Sequence, residues 1–247
     1  AMTEDGSAYC ILGNHEFNAI SYFTKDNDGQ PLRKLSTSHE DPHLGFLREV
    51  GDNSALHAEY IDWFKSMPLW LETEGLCVIH ACRDEEAMDF LRENGLTADN
   101  CLTDDLVHKA NQKGTQEFFA VELLCKGPEI PLPKGYTFKD KDGKIRDQIR
   151  TRWWDESAKT YCELALIADD TLPFIPDIAL PQKAKAKHIA VPTIVGHYWL
   201  NPKAVPCPMS KNVVCVDYSA GKGDPLVAYR WNFGDTAFSC DSFVKSI

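Results

Sequence analysis

"YCILGNHEFNAI" fills residues 9–20, and its reading decides the fold. An apolar run, Cys10-Ile11-Leu12, stops at Gly13-Asn14-His15-Glu16. The run predicts a short buried strand over residues 8–12. The stop places an amide oxygen and an imidazole, both suited to metal and phosphate chemistry, at the end of that strand. Two such residues cannot hold a catalytic metal alone. Their partners must come from elsewhere.

Two further apolar runs end the same way. "LCVIHA" at 76–81 stops on His80, and "AVPTIVGH" at 190–197 stops on Gly196-His197. Active sites in α/β sheets sit at the carboxyl ends of strands, where backbone pairing stops and side chains can converge. One histidine at a strand end reads equally well as a hydrogen-bonded structural residue. Three such ends in one chain, one of them carrying G-N-H-E, point to a metal site.

The chain has 247 residues, 43% of them hydrophobic. That suffices for one large domain or two small ones, and we read a single domain over 1–247. No apolar stretch approaches the ~20 residues that span a bilayer. The first ten residues lack the basic-then-apolar pattern of a secretory signal. A net charge of -11 repels phosphate backbones and excludes bulk nucleic-acid binding. A small phosphorylated substrate remains compatible, since its site can be locally positive. The nine cysteines are odd in number and form no C-x-x-C pair. Cys10, Cys77 and Cys215 lie inside apolar runs, where a thiol acts as a small core residue. These features predict a reducing cytoplasm rather than a disulfide framework or zinc ribbon.

Helical spacing of Leu56, Tyr60, Ile61 and Phe64 predicts a helix over 53–66 capped by Asn53. Residues 84–94, 103–125 and 157–168 also read as helices. Residues 23–45 are polar and turn-rich. Residues 127–146 are rich in Pro, Gly and charge and read as a loop insertion. "NVVCVDYSA" and "PLVAYRW", around "GKGD", predict a hairpin. Strands near both ends with helices between them argue for α/β architecture.

The ordered set G-N-H-E, "VIHAC", "VGHYW" and "VDYSAGKGDPLVAYRW", together with "KGPEIPLPKG" and "RTRWW", resembles the calcineurin-like metallophosphoesterases. The nearest likeness is to a bacterial group akin to symmetrical diadenosine tetraphosphatases and serine/threonine protein phosphatases. The resemblance implies an α/β fold, a β-sandwich flanked by helices. It implies that Asn14, His80 and His197 are metal ligands and that His15 is catalytic, protonating the leaving alkoxide or stabilising phosphoryl oxygens. The complete family site holds two divalent ions, Mn, Fe, Zn, Co or Ni, ~3.5–4 Å apart, and cleaves phosphoesters with metal-bound hydroxide. It also needs D-x-H and G-D-x-x-D-R strand ends before G-N-H-E, and the residues preceding Asn14 contain neither. "Asp41-Pro42-His43" spells D-x-H but follows G-N-H-E and reads as a decoy. The expectation is a family member lacking its N-terminal strands, an inactive or weakly active fragment that binds at most one ion. Its uncovered sheet edge would favour self-association.

Arg150 and Arg152 alternate, so in an extended run they share a face suited to clamping phosphate. The competing reading is a surface pair salt-bridged to the acidic excess. Tyr198 is a candidate site-wall residue for substrate. Trp153 and Trp154 read as core, Asp217 as a structural hydrogen-bonding residue, and His39, His57, His108 and His188 as solvated or capping. The expected function is metal-dependent hydrolysis of a phosphomonoester or nucleoside polyphosphate. The alternative is a degenerate, non-catalytic binding or regulatory module.

Overall fold

Helix α1 (Asn14–Phe23) begins where the first apolar run ends. The computed structural model describes residues 2–3, 5–35, 42–73, 75–140, 143–167, 171–184 and 186–246. His39 and Asp41 lie outside them. The chain is mixed α/β and divides into two compact units, 1–126 with 195–199, and 127–194 with 200–247.

In the first unit, residues 8–12 are extended but join no strand ladder. Leu12 is fully buried and its amide donates to the Pro68 carbonyl (2.8 Å), whereas Tyr9 is 76% exposed. One anchoring bond replaces the expected strand. Helix α2 (Pro42–Val50) precedes α3 (Ala55–Lys65). The cap of α3 is Ser54, whose Oγ accepts from the His57 amide (3.0 Å). Asn53, the expected cap, instead takes the left-handed turn before it (φ 56°), which Asn tolerates. Strands β1 (Trp70–Thr73) and β2 (Leu76–Ile79) form an antiparallel hairpin pairing Trp70 with Ile79. Gly75, at φ 79°, supplies the positive φ that the tight turn requires.

Helix α4 (Glu85–Asn94) is capped by Asp84, which accepts from the Ala87 amide (3.0 Å). The expected helix over 103–125 is two, α5 (Asp104–Ala110) and α6 (Gln116–Lys126). Gly114 (φ 98°) breaks it, and Thr115 Oγ1 accepts from Phe118 N (3.1 Å) to restart it. Leu12, Phe17, Ile20, Ile61, Trp70, Ile79, Met88, Leu91, Leu106, Val121 and Leu124 form the buried core of this unit. Each such side chain contributes about 1.5–3 kcal/mol on burial. Arg83, nearly buried, ties β1 to α4 through Glu72 (2.9 Å) and Glu85 (2.6 Å).

In the second unit, β3 (Glu129–Pro131), β4 (Phe138–Lys139), β5 (Ile145–Arg146) and β6 (Gln148–Arg150) form two nested antiparallel pairs. β3 pairs with β6 and β4 with β5, so the expected insertion at 127–146 is itself strand-bearing. Helix α7 (Tyr161–Leu164) is a single turn capped by Thr160. The longer helix expected over 157–168 stops because the Leu166 amide turns back to the Arg150 carbonyl (2.8 Å). Leu132, Phe138, Ile149, Tyr161, Leu164, Ile175 and Leu180 form this unit's core. Trp153 and Trp154 are buried as expected, ring centroids 5.4 Å apart.

Strands β7 (Thr193–Val195), β8 (Val213–Cys215), β9 (Val227–Tyr229) and β10 (Phe243–Lys245) complete the chain. β9 pairs with β10, Tyr229 opposite Phe243, and not with β8 as the hairpin reading expects. The intervening segment folds on itself: Asp217 Oδ1 accepts from the Ser219 amide (3.0 Å), and a 3-10 turn covers Ala220–Lys222. Cys207 and Cys240 form a disulfide, contrary to the all-thiol expectation. No helix among the described residues is long and apolar enough to cross a membrane.

Candidate metal centre

Three chain segments of the first unit meet at one point. The first is the start of α1. Glu16 Oε2 accepts from the Gly13 amide (3.1 Å), a reach-back bond that fixes the first turn and places Asn14 at its opening. The second is the end of β2. Beyond Ile79 the chain leaves the hairpin register at His80, and the Ala81 amide donates to the Leu124 carbonyl of α6 (3.1 Å).

The third is residues 195–199. The Gly196 amide donates to the His80 carbonyl (2.9 Å), which sets the register. His197 then takes φ 70° and Trp199 φ 51°. Left-handed backbone is costly for a bulky side chain and clusters at functional sites. Here it turns His197 toward Asn14 and His80. Tyr198 is 7% exposed and its hydroxyl donates to the Ala81 carbonyl (2.7 Å). Tyr198 therefore braces the turn through its hydroxyl.

The result is a triangle of donor atoms. His80 Nε2 lies 2.9 Å from Asn14 Oδ1 and 3.2 Å from His197 Nδ1, and His197 Nδ1 lies 3.2 Å from Asn14 Oδ1. Hydrogen bonds cannot satisfy all three sides together. If both imidazole nitrogens carry protons aimed at the amide oxygen, their mutual contact sets donor against donor. A cation at the centre resolves this conflict. Bonds of about 2.1 Å at tetrahedral or octahedral angles space neighbouring donors about 3.0–3.4 Å apart, so the triangle fits one ion.

Gly13 shapes the same place. A Cβ there would stand 2.8 Å from the His80 ring and 2.7 Å from Glu16 Oε2. Only glycine lets the ring approach this closely. The abrupt end of an apolar run at a glycine was the available signal.

His15 sits on the first turn of α1, next to Asn14, and is exposed. Arg150 and Arg152 belong to the second unit. Arg150 Nη2 lies 3.9 Å from Glu129 Oε1, and Arg152 Nε donates to the Ala165 carbonyl (3.1 Å). His57 is fully buried rather than solvated, and its Nδ1 accepts from the Asn53 amide (3.2 Å). Burial pushes the Cys77 thiol up to about 11, against the pull of Arg83, and the Cys125 thiol up to about 12. Neither is a thiolate at neutral pH, so neither offers a nucleophile or a soft ligand. Among the described residues, no group of three or more His, Cys, Asp or Glu gathers. The triangle escapes that pattern because its third member is an amide. A polar cavity of about 280 Å³ lined by Asp26, Asn27, His108, Asn111 and Gln112 lies elsewhere in this unit and includes neither Asn14, His80 nor His197.

Comparison with protein-family models, with curated proteins and with solved structures finds no match for this chain.

Proposed function

We propose that the chain is a metal-dependent phosphoesterase acting on a phosphomonoester or nucleoside polyphosphate. The observation that carries this reading is the Asn14–His80–His197 triangle. Its support from sequence is the order of the three motifs, which resembles the calcineurin-like metallophosphoesterases and their helix-flanked β-sandwich.

Asn14 Oδ1, His80 Nε2 and His197 Nδ1 would hold one divalent ion, of Mn, Fe, Zn, Co or Ni. Such an ion supplies Lewis acidity toward phosphoryl oxygens and lowers the pKa of water. With both imidazoles engaged by the ion, the start of α1, whose first-turn amides favour negative charge, would receive the phosphoryl group beside it. His15, one residue from the ligand Asn14, delivers a proton to the leaving oxygen.

The donor set contains no carboxylate, so its hold on a dication is weak and one ion is the expected load. That same neutrality favours a second reading, a binding or regulatory module that retains ion and phosphate without turnover.

A phosphatase assay separates the two. With Mn²⁺ and para-nitrophenyl phosphate or a dinucleoside polyphosphate, slow hydrolysis should appear and fall at least tenfold, about the loss that disturbing a metal site brings, in His197→Ala. Ion and phosphate binding with no turnover on any substrate would select the binding module. A rate indifferent to metal and to His197 would reject the enzyme reading.

A further inference from the structure

Cys207 and Cys240 differ from the other cysteines. Both are exposed, whereas Cys77, Cys82, Cys125 and Cys215 are buried and Cys10, Cys101 and Cys162 are half-buried. Their Cα atoms are 4.5 Å apart, inside the range a disulfide spans without backbone movement.

Two tyrosines position the pair independently of the sulfur–sulfur bond. Tyr218, buried, lies with its phenol against the Cys207 backbone. Tyr229 on β9 accepts through its hydroxyl from the Ser239 amide (2.9 Å), the residue before Cys240. Paired β10 follows directly on the turn holding Cys240. The backbone beside each cysteine is thus anchored by contacts other than the bond itself. The bond joins residues 33 apart in sequence and fixes the β9–β10 hairpin to the segment 200–210.

We propose that Cys207 and Cys240 form a reversible redox clamp on the second unit. Exposed disulfides exchange readily, while buried ones resist. Closure proceeds by thiol–disulfide exchange with a small disulfide of the oxidised-glutathione class. Cys207 as thiolate attacks that disulfide, forming a mixed disulfide and releasing one small thiol, which takes a proton from solvent. Cys240 as thiolate then attacks the Cys207 sulfur, forming the protein disulfide and releasing the second small thiol. The two cysteines lose two electrons and two protons, and the small disulfide gains both. A dithiol reductant runs the sequence backward. In the open state the hairpin keeps contacts such as Lys245 Nζ to the Pro202 carbonyl (2.6 Å), so the unit loosens without losing its fold. The clamp is independent of the metal reading.

The test equilibrates the whole chain in glutathione buffers of graded redox ratio, traps thiols by alkylation and maps them by mass spectrometry. Cys207 and Cys240 should become protected together with a single midpoint, while Cys77 and Cys125 stay reduced throughout. The oxidised chain should melt about 5 °C or more above the reduced one. Cys207→Ser and Cys240→Ser should each abolish that difference, and Cys162→Ser should keep it. Wild-type mapping decides the matter even if a variant fails to fold. Independent alkylation of the two cysteines at every ratio, a bond that survives excess dithiol under native conditions, or equal melting of both forms would overturn the clamp.

Discussion

His80 has no room to retreat from Gly13. A methyl group at position 13 would overlap both the His80 ring and the Glu16 carboxylate. Gly13→Ala should cost about 1–3 kcal/mol in urea unfolding, the usual range for overpacking. It should also weaken Mn²⁺ binding, because the ring it displaces is a proposed ligand. An unchanged ion affinity would mean that His80 does not contribute. The chemistry of this point was legible in the sequence as residue types, since Asn14, His80 and His197 each follow an apolar run. What could not be read was orientation. Left-handed backbone at His197 and Trp199 depends on the Gly196 bond to the His80 carbonyl and on Tyr198, and periodicity carries no trace of either.

The turn at 196–199 is an element braced by a buried hydroxyl. Tyr198→Phe removes the buried hydroxyl that reaches the Ala81 carbonyl. It should cost about 1–2 kcal/mol, the range for losing a buried hydrogen bond, and lower metal affinity with it. Denaturant midpoints with and without Mn²⁺ read both effects. Helix α3 offers a control outside the proposed ligand set. Ser54→Ala removes its cap and should cost about 1 kcal/mol in the same assay while leaving ion binding intact. Helices such as α3 and α4 were legible because their apolar positions repeat and polar caps precede them. The 103–125 stretch was misread as one helix because its helical formers run on past Gly114, whose positive φ is a backbone property. The β8–β9 hairpin failed for a different reason. A Gly-rich segment predicts a turn but not which strand returns, and β10 out-competed β8 for β9.

At the scale of the whole molecule, stability responds to pH. Burial lowers the pKa of His57, Asp52 opposes the shift, and Lys25 adds to it. The folded state therefore holds His57 neutral while the unfolded chain still binds a proton just below its usual value. Stability from this residue is complete above about pH 6.5 and falls as pH drops from there toward the folded value. Urea unfolding at graded pH should show that decline, and His57→Gln should flatten it. An unaltered slope would remove His57 from the account. Any ion bound only by the folded chain adds stability, about 2.7 kcal/mol at a hundredfold excess over its Kd. The central claim, that Asn14, His80 and His197 hold a single cation, is met most directly by calorimetric titration of Mn²⁺ into the wild-type chain and into the His80→Ala/His197→Ala double variant. The account predicts one ion per wild-type chain and none for the variant. No uptake by the wild type at millimolar Mn²⁺, or the same uptake by both chains, would contradict it.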